Sequence, residues 1–292
     1  MSRDVEVLAE GLGHPEGPYE LDDGRVVFAH TYRSEVSVWD HERGVRTYGH
    51  TGGGPNACML GGDGYVYVTL HDLVGDWVPE ERRTPAIVRV DPDGMVETLC
   101  TEIDGLTLTA PNDLTFGSDG TLYFTDSGFW DPESRADPGY IFALTADGRG
   151  SLLAETGNVY PNGIVSEEGG SIVWVETYTR AVRRWSPDGT VSELAILPEG
   201  HLPDGLKVAE NGDLWITTIT SGGVDVLGAD GSLRDFIDVD GTPLNCTFGS
   251  DGGLYVCDAG RPEQGDLFSG RLIRVNVGVA GMPLFRGEVI RP

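Results

Sequence analysis

The sequence predicts an all-β chain: a six-bladed β-propeller with four antiparallel strands per blade and a ring closed by a terminal strand. Three observations predict it. A short stretch recurs six times, at Pro15-Glu16-Gly17, Pro55-Asn56-Ala57, Pro111-Asn112-Asp113, Pro161-Asn162-Gly163, Pro203-Asp204-Gly205 and Leu244-Asn245-Cys246. Its polar residues lie 40, 56, 50, 42 and 41 residues apart, and periods of roughly 40–50 residues belong to propellers and solenoids. Each stretch leads into an apolar run, a Gly-centred turn and a strongly β-forming run, as in Asp119-Gly120 before Leu122-Tyr123-Phe124. A second series of turns, at Asp93-Gly94, Asp147-Gly148, Asp188-Gly189 and Asp230-Gly231, separates later strands. Asp-Gly between alternating apolar runs marks a hairpin, because both central residues of the tight turn need φ > 0. Length alone suggests two domains; six units around one axis instead make residues 1–292 a single propeller domain.

In chain order, residues 4–10 read as an outer strand and are expected on blade six, where a borrowed strand would cover an exposed edge. Met282-Pro283-Leu284-Phe285 is the rival for that slot. Blade one runs from about 14 to 50 and blade five from about 202 to 239, with short connections. Blades two and three carry insertions between second and third strands, over 73–85 and 128–138. In an antiparallel blade the first strand starts on the face where the second ends. The recurring polar residues and both insertions therefore share one face, with Trp77, Arg82, Arg83, Phe129 and Trp130 over the channel mouth. The ends of the second strands (His30, His71, Asp126, Glu176, Tyr178, Thr218, Asp258) are expected to point there too. Long loops on a rigid scaffold are where binding concentrates.

The chain carries 47 acidic and 20 basic residues, a formal net charge of −27. Such a surface repels nucleic acid and anionic membranes, so neither is an expected partner. No stretch approaches the roughly 18 apolar residues of a membrane helix, and the start lacks the apolar core of a signal peptide, so a cytoplasmic location is expected. Lys207 is the sole lysine and reads as a composition effect. Cys58, Cys100, Cys246 and Cys257 form no C-x-x-C pair and are expected as reduced thiols.

The recurring position holds one Glu, one Asp and Asn in the others. Hard cations such as Ca²⁺ take six to eight oxygens from carboxylates, amide carbonyls and water. Glu16, Asn112, Asn162 and Asp204 would supply that set with two negative charges, and the absence of His or Cys at these positions argues against zinc or copper. Asn-Gly and Asp-Gly also form turns, but each repeat already has two Gly-centred turns at other phases. His14 and His201 precede Glu16 and Asp204 closely enough to reach the mouth, and Trp174, Trp185 and Trp215 read as blade packing. Asp126 is either a neighbour of the ligands or a turn cap.

These residues resemble the gluconolactonase/regucalcin (senescence-marker-protein) family. The resemblance rests on Pro15-Glu16-Gly17-Pro18, Pro111-Asn112-Asp113-Leu114 with Leu122-Tyr123-Phe124-Thr125-Asp126, Asn162-Gly163-Ile164 and Pro203-Asp204-Gly205-Leu206, in order along the chain. It implies one divalent ion, usually Ca²⁺ with Zn²⁺, Mn²⁺ and Mg²⁺ as alternatives, held by Glu16, Asn162 and Asp204. It implies that Asn112 binds ion or substrate and that Asp204 acts as general base in lactone hydrolysis. Regucalcin-type members carry an Arg two residues before the Asn, where this chain has Ala110; with Trp77 and Trp130 above, a less polar ring than an aldonolactone is expected. The substrate-binding set read from the sequence is Asn112, His30, Trp77, Trp130, Tyr178 and His201. The expected function is metal-dependent opening of a small-molecule lactone or ester, with no Ser or Cys nucleophile and no Gly-x-Ser-x-Gly elbow. The alternatives are phosphotriester hydrolysis and a non-catalytic calcium- or ligand-binding propeller.

Overall fold

The computed structural model describes residues 4–260 and 267–290. Six four-stranded antiparallel sheets form the blades of a propeller. Beyond them lie one turn of 3-10 helix at Thr31–Arg33 and a two-stranded ribbon, Glu102–Ile103 with Leu106–Thr107. That ribbon and the insertion before it account for the long interval between Asn56 and Asn112. No helix among the described residues is long and apolar enough to cross a membrane.

The innermost strands are Pro15–Glu20, Gly54–Leu60, Pro111–Phe116, Pro161–Ser166, Pro203–Val208 and Pro243–Phe248. Each abuts the innermost strand of both neighbouring blades, and the last meets the first. Both faces of an inner strand are covered by adjacent blades, so Pro111–Phe116 is buried throughout, whereas the outer strand Val191–Ile196 is mostly exposed.

Every innermost strand carries a register shift at the recurring residue. Pro111 faces Asp126, yet Leu114 faces Phe124, so the inner strand has one residue more than its partner. The other five blades shift at the same place. An extra residue bends a strand and re-aims its side chain, which turns these residues into the channel.

Hydroxyls then lock blade to blade. Thr125 Oγ1 accepts from Asp113 N–H in its own blade (3.0 Å) and donates to the Asn162 carbonyl in the next (2.8 Å). Thr217 does the same with Gly205 N–H (2.8 Å) and the Leu244 carbonyl (2.6 Å), and Thr69 with Ala57 N–H (2.9 Å) and the Asn112 carbonyl (2.6 Å). Thr31 and Thr177 reach the carbonyls of Pro55 and Pro203, each at 2.8 Å.

Val5–Leu12 pairs antiparallel with Gly270–Asn276 and supplies the outer strand of blade six. The rival stretch at 282–285 joins no blade. Residues 277–290 instead cross the face opposite the recurring residues: Met282 N–H bonds the Val208 carbonyl (2.9 Å), the Gly287 carbonyl accepts from Gly62 (2.7 Å), and Ile290 N–H bonds Ala146 (2.7 Å). Pro283 lacks the N–H a ladder strand would donate, and Leu284 and Phe285 pack instead against the core of blades one to three. All four cysteines are free.

Candidate functional site

A cavity of about 530 Å³ opens where the innermost strands begin, with Glu16, Asn56, Asn112, Asn162 and Asp204 in its wall. Five of the six blades thus contribute their recurring residue to one space. The sixth, Asn245, is fully buried outside the wall. Its Nδ2 donates to Glu16 Oε1 (3.0 Å) and Asp113 Oδ2 (3.2 Å). Its Oδ1 accepts from Cys246 N–H (2.9 Å) and Lys207 Nζ (3.4 Å), and Lys207 also donates to the Leu206 carbonyl (3.0 Å). The sole lysine, read from the sequence as a composition effect, is therefore buried in the channel beside the carboxylates. A single Lys in an inner strand has no motif that would have flagged it. Asp113 was legible only as the neighbour of Asn112.

Glu16 and Asp204, largely out of water and close to Asp113, resist ionising together. Burial first, then the charge of Asp204, pushes Glu16 well above the usual carboxylate range, while the Asn245 amide opposes the shift. Asp204 keeps some exposure where it lines the cavity, but dense protein around it and the nearby Asp113 push it up to about 8, against a hydrogen bond from Asn162. Among the described residues no cationic side chain lines the cavity, and Lys207 is held behind it by the Asn245 amide and the Leu206 carbonyl.

The site has oxygens to spare. Glu16 Oε2 and Asn162 Oδ1 are buried with no hydrogen-bond partner. Asn162 Nδ2 donates to Thr177 Oγ1 (3.2 Å), which leaves the amide oxygen as the free acceptor. Asn112 differs: its Oδ1 already accepts from Asn56 Nδ2 (3.2 Å), and its side chain hydrogen-bonds the Tyr160 hydroxyl. No three His, Cys, Asp or Glu side chains among the described residues gather as a metal cluster; the available donors are two carboxylates with amide oxygens. Unpartnered oxygens beside two buried carboxylates fit a hard, oxygen-seeking cation and not a thiophilic one.

The upper wall is apolar. Trp77 packs on Tyr32 (5.0 Å between centroids), which stacks on His14 (5.3 Å), and Trp130 meets Tyr160 edge-on (5.0 Å). Leu267, from the second-to-third connection of blade six, joins them; that connection was not singled out in the sequence, and its residues 261–266 lie outside the described residues. A side cavity of about 280 Å³ opens under Phe129 and Trp130 with Ala110 and His71 in its wall. Among the described residues neither wall contains an Arg or Lys.

Of the sequence-predicted substrate-binding residues, Asn112, Trp77 and Trp130 line the cavity. His30 does not. It is fully buried within blade one, its Nε2 accepting from Gly13 N–H (2.8 Å) and its Nδ1 meeting Ser37 Oγ (3.0 Å). His201 turns away to Asp225 (2.9 Å) and Phe236. Tyr178 stands behind the wall, accepting from Asp131 N–H (2.9 Å) and packing on Trp130 and Tyr160. Asp126 caps backbone, accepting from Ala110 (2.6 Å) and Thr109 (2.8 Å). The second-strand ends thus mostly satisfy entering loops instead of reaching the mouth. Trp174 and Trp215 pack within the blades, as expected.

Residues 14–260 match the SMP-30/gluconolactonase/LRE-like region. A gluconolactonase of Zymomonas mobilis is 26% identical over 290 residues, covering 86% of this chain and 78% of its own. Two solved structures share the fold. A gluconolactonase from Xanthomonas campestris is 24% identical with a TM-score of 0.76, over 96% of this chain and 89% of that one. Regucalcin from Agrobacterium tumefaciens, described as a calcium-binding protein, is 17% identical with a TM-score of 0.77, over 100% and 98%. With most of its length matched and the same propeller, the chain belongs to the SMP-30/gluconolactonase/LRE-like family.

Proposed function

We propose that this protein is a metal-dependent hydrolase that opens a small-molecule lactone or related ester with an apolar ring or substituent. The observation that carries the reading is the pair of unpartnered oxygens, Glu16 Oε2 and Asn162 Oδ1, sharing one cavity with Asp204. Family membership and the Zymomonas relative support the lactone; the oxygen-only donors and the Agrobacterium relative favour calcium over Zn²⁺, Mn²⁺ or Mg²⁺. Glu16, Asn162 and Asp204 would hold the ion, with Asn112 turned to ion or substrate. When bound, the ion supplies positive charge that polarises the carbonyl and stabilises negative charge on its oxygen.

The chain's own residues do the rest. Asp204 takes a proton from water as the water oxygen bonds to the carbonyl carbon. The ring C–O bond breaks, and the departing alkoxide receives that proton, giving the hydroxy acid. Trp77 and Trp130 exclude bulk water and hold the ring. The side cavity beside Ala110 gives an apolar substituent room where a longer residue would fill it.

Acid release from a panel of alkyl- and aryl-substituted γ- and δ-lactones and aldonolactones tests this, on chelated protein with each ion restored. The expected result is turnover of apolar lactones, strongest with Ca²⁺ and lost with chelator. Turnover of phosphotriesters alone would favour the phosphotriesterase alternative. A calcium-dependent rise in Tm without turnover of anything would leave a binding propeller.

A further inference from the structure

We propose that His71 is a further catalytic residue of this site, its Nε2 accepting a hydrogen bond from the attacking water and so turning the water's lone pair toward the carbonyl. The inference rests on the proposed hydrolysis.

It comes from a break in the sixfold pattern. His30, His71, Asp126, Glu176, Thr218 and Asp258 end their second strands at the same level, opposite the start of each innermost strand. Five are satisfied locally. His30 accepts from Gly13 N–H, Asp126 from Thr109 and Ala110, and Asp258 from Thr242 (3.2 Å) and Gly260 (2.5 Å). Glu176 is held by Thr179 (2.8 Å) and Arg183, and Thr218 donates to the Gly223 carbonyl (3.0 Å).

His71 alone leaves a ring nitrogen, Nε2, buried without a partner, and it lines both the main and the side cavity. The local cause is the entering loop. In blade one the N–H of Gly13 caps His30; in blade two the N–H of Gly53 bonds the Glu81 carbonyl instead (2.8 Å). No loop N–H turns to His71. A Cβ on Gly53 would stand 2.7 Å from the His71 carbonyl, so only glycine lets the loop pass this close.

The ring's protonation follows. Burial lowers His71 to about 4, and its one backbone partner, the Pro111 carbonyl, can only accept. A neutral imidazole has a single proton. With that proton turned to Pro111, Nε2 keeps the ring's free lone pair, on a residue that lines the cavity. A nitrogen so reluctant to protonate serves as a hydrogen-bond acceptor and not a proton store. One water hydrogen stays bonded and points at His71; the other passes to Asp204 as the oxygen bonds to carbon, and the ring oxygen leaves with it.

The test compares wild type with His71→Phe and His71→Gln on the best lactone of the panel, alongside the calcium-induced rise in Tm of each. His71→Phe keeps a ring but no acceptor; His71→Gln keeps an acceptor. The expected result is a fall in kcat of roughly 30- to 100-fold for His71→Phe, KM within about threefold, partial recovery in His71→Gln, and an unchanged calcium response. Full kcat in His71→Phe overturns the assignment, as does a loss of kcat that tracks loss of the calcium response. A wild type that turns over no lactone removes the proposed hydrolysis and this role together. An active wild type with an indifferent His71→Phe removes only this role.

Discussion

Replacing Asp204 by Asn keeps an oxygen toward the cavity while removing a group that can take a proton. With calcium saturating, kcat is expected to fall by about 10²–10³-fold while the calcium-induced rise in Tm largely survives; full activity with normal metal binding would end the base assignment. The same substitution reads out the electrostatics of the site in chelated protein. Asp204 sits near 8 because of burial and the Asp113 charge, against an ordinary value of 3.8. A carboxyl raised on folding holds its proton more tightly in the folded state, so its favourable contribution is present below the unfolded value and is lost as pH rises through 8. In chelator, wild-type stability should therefore fall between about pH 4 and pH 8 relative to Asp204→Asn. Urea midpoints at pH 5 and pH 8 measure this, and calcium should flatten the difference. Glu16, raised by burial and by the Asp204 charge, adds a slope of its own, smaller in Asp204→Asn where that charge is gone.

At the level of strands and loops, two features build the site. The register shift at each innermost strand aims the donor inward, and the threonines hold the shifted backbone against the next blade. Thr217→Val keeps shape but strands the Leu244 carbonyl and the Gly205 N–H, both buried. It should cost about 2–3 kcal/mol, seen as a lower urea midpoint at unchanged slope. The insertions supply the walls. Trp77→Ala and Trp130→Ala should raise KM for apolar lactones about tenfold or more, since each removes a large aromatic contact, and leave any residual aldonolactone turnover unaffected. Equal losses on both substrate types would count against an apolar site.

For the molecule as a whole, closure matters most. Val5–Leu12 covers the edge of Gly270–Asn276 on blade six and joins the first residues of the chain to the last blade. Deleting residues 1–12 should leave that edge unpaired, with a lower Tm and concentration-dependent light scattering. Residues 277–290 cross the other end of the ring and line a cavity of about 480 Å³ there with Tyr19 and Lys207. Arg286 binds Asp22 (2.9 Å to Oδ2) and the Tyr19 hydroxyl (3.1 Å), and the Val289 carbonyl accepts from Arg89 (2.9 Å). Glu16, Asn56, Asn112, Asn162 and Asp204 line the cavity at the opposite face.

The sequence by itself determined the blade count, the strand order and four residues of the cavity wall, Glu16, Asn112, Asn162 and Asp204. Each follows from a local pattern repeated at fixed phase: turn glycines, alternating apolar runs, and a polar residue ahead of strand. Lid residues Trp77 and Trp130 followed from insertion length. Tertiary structure alone decided what one residue's surroundings do to it. His30 and His71 stand at the same strand end, yet one meets a loop N–H and the other an open cavity, because a glycine in blade two lets the chain pass differently. Lys207 carries no local signal, and Asn245 is marked by the repeat only as one more recurring residue; their meaning lies in carboxylates brought from blades one and three, and only ring closure makes them neighbours.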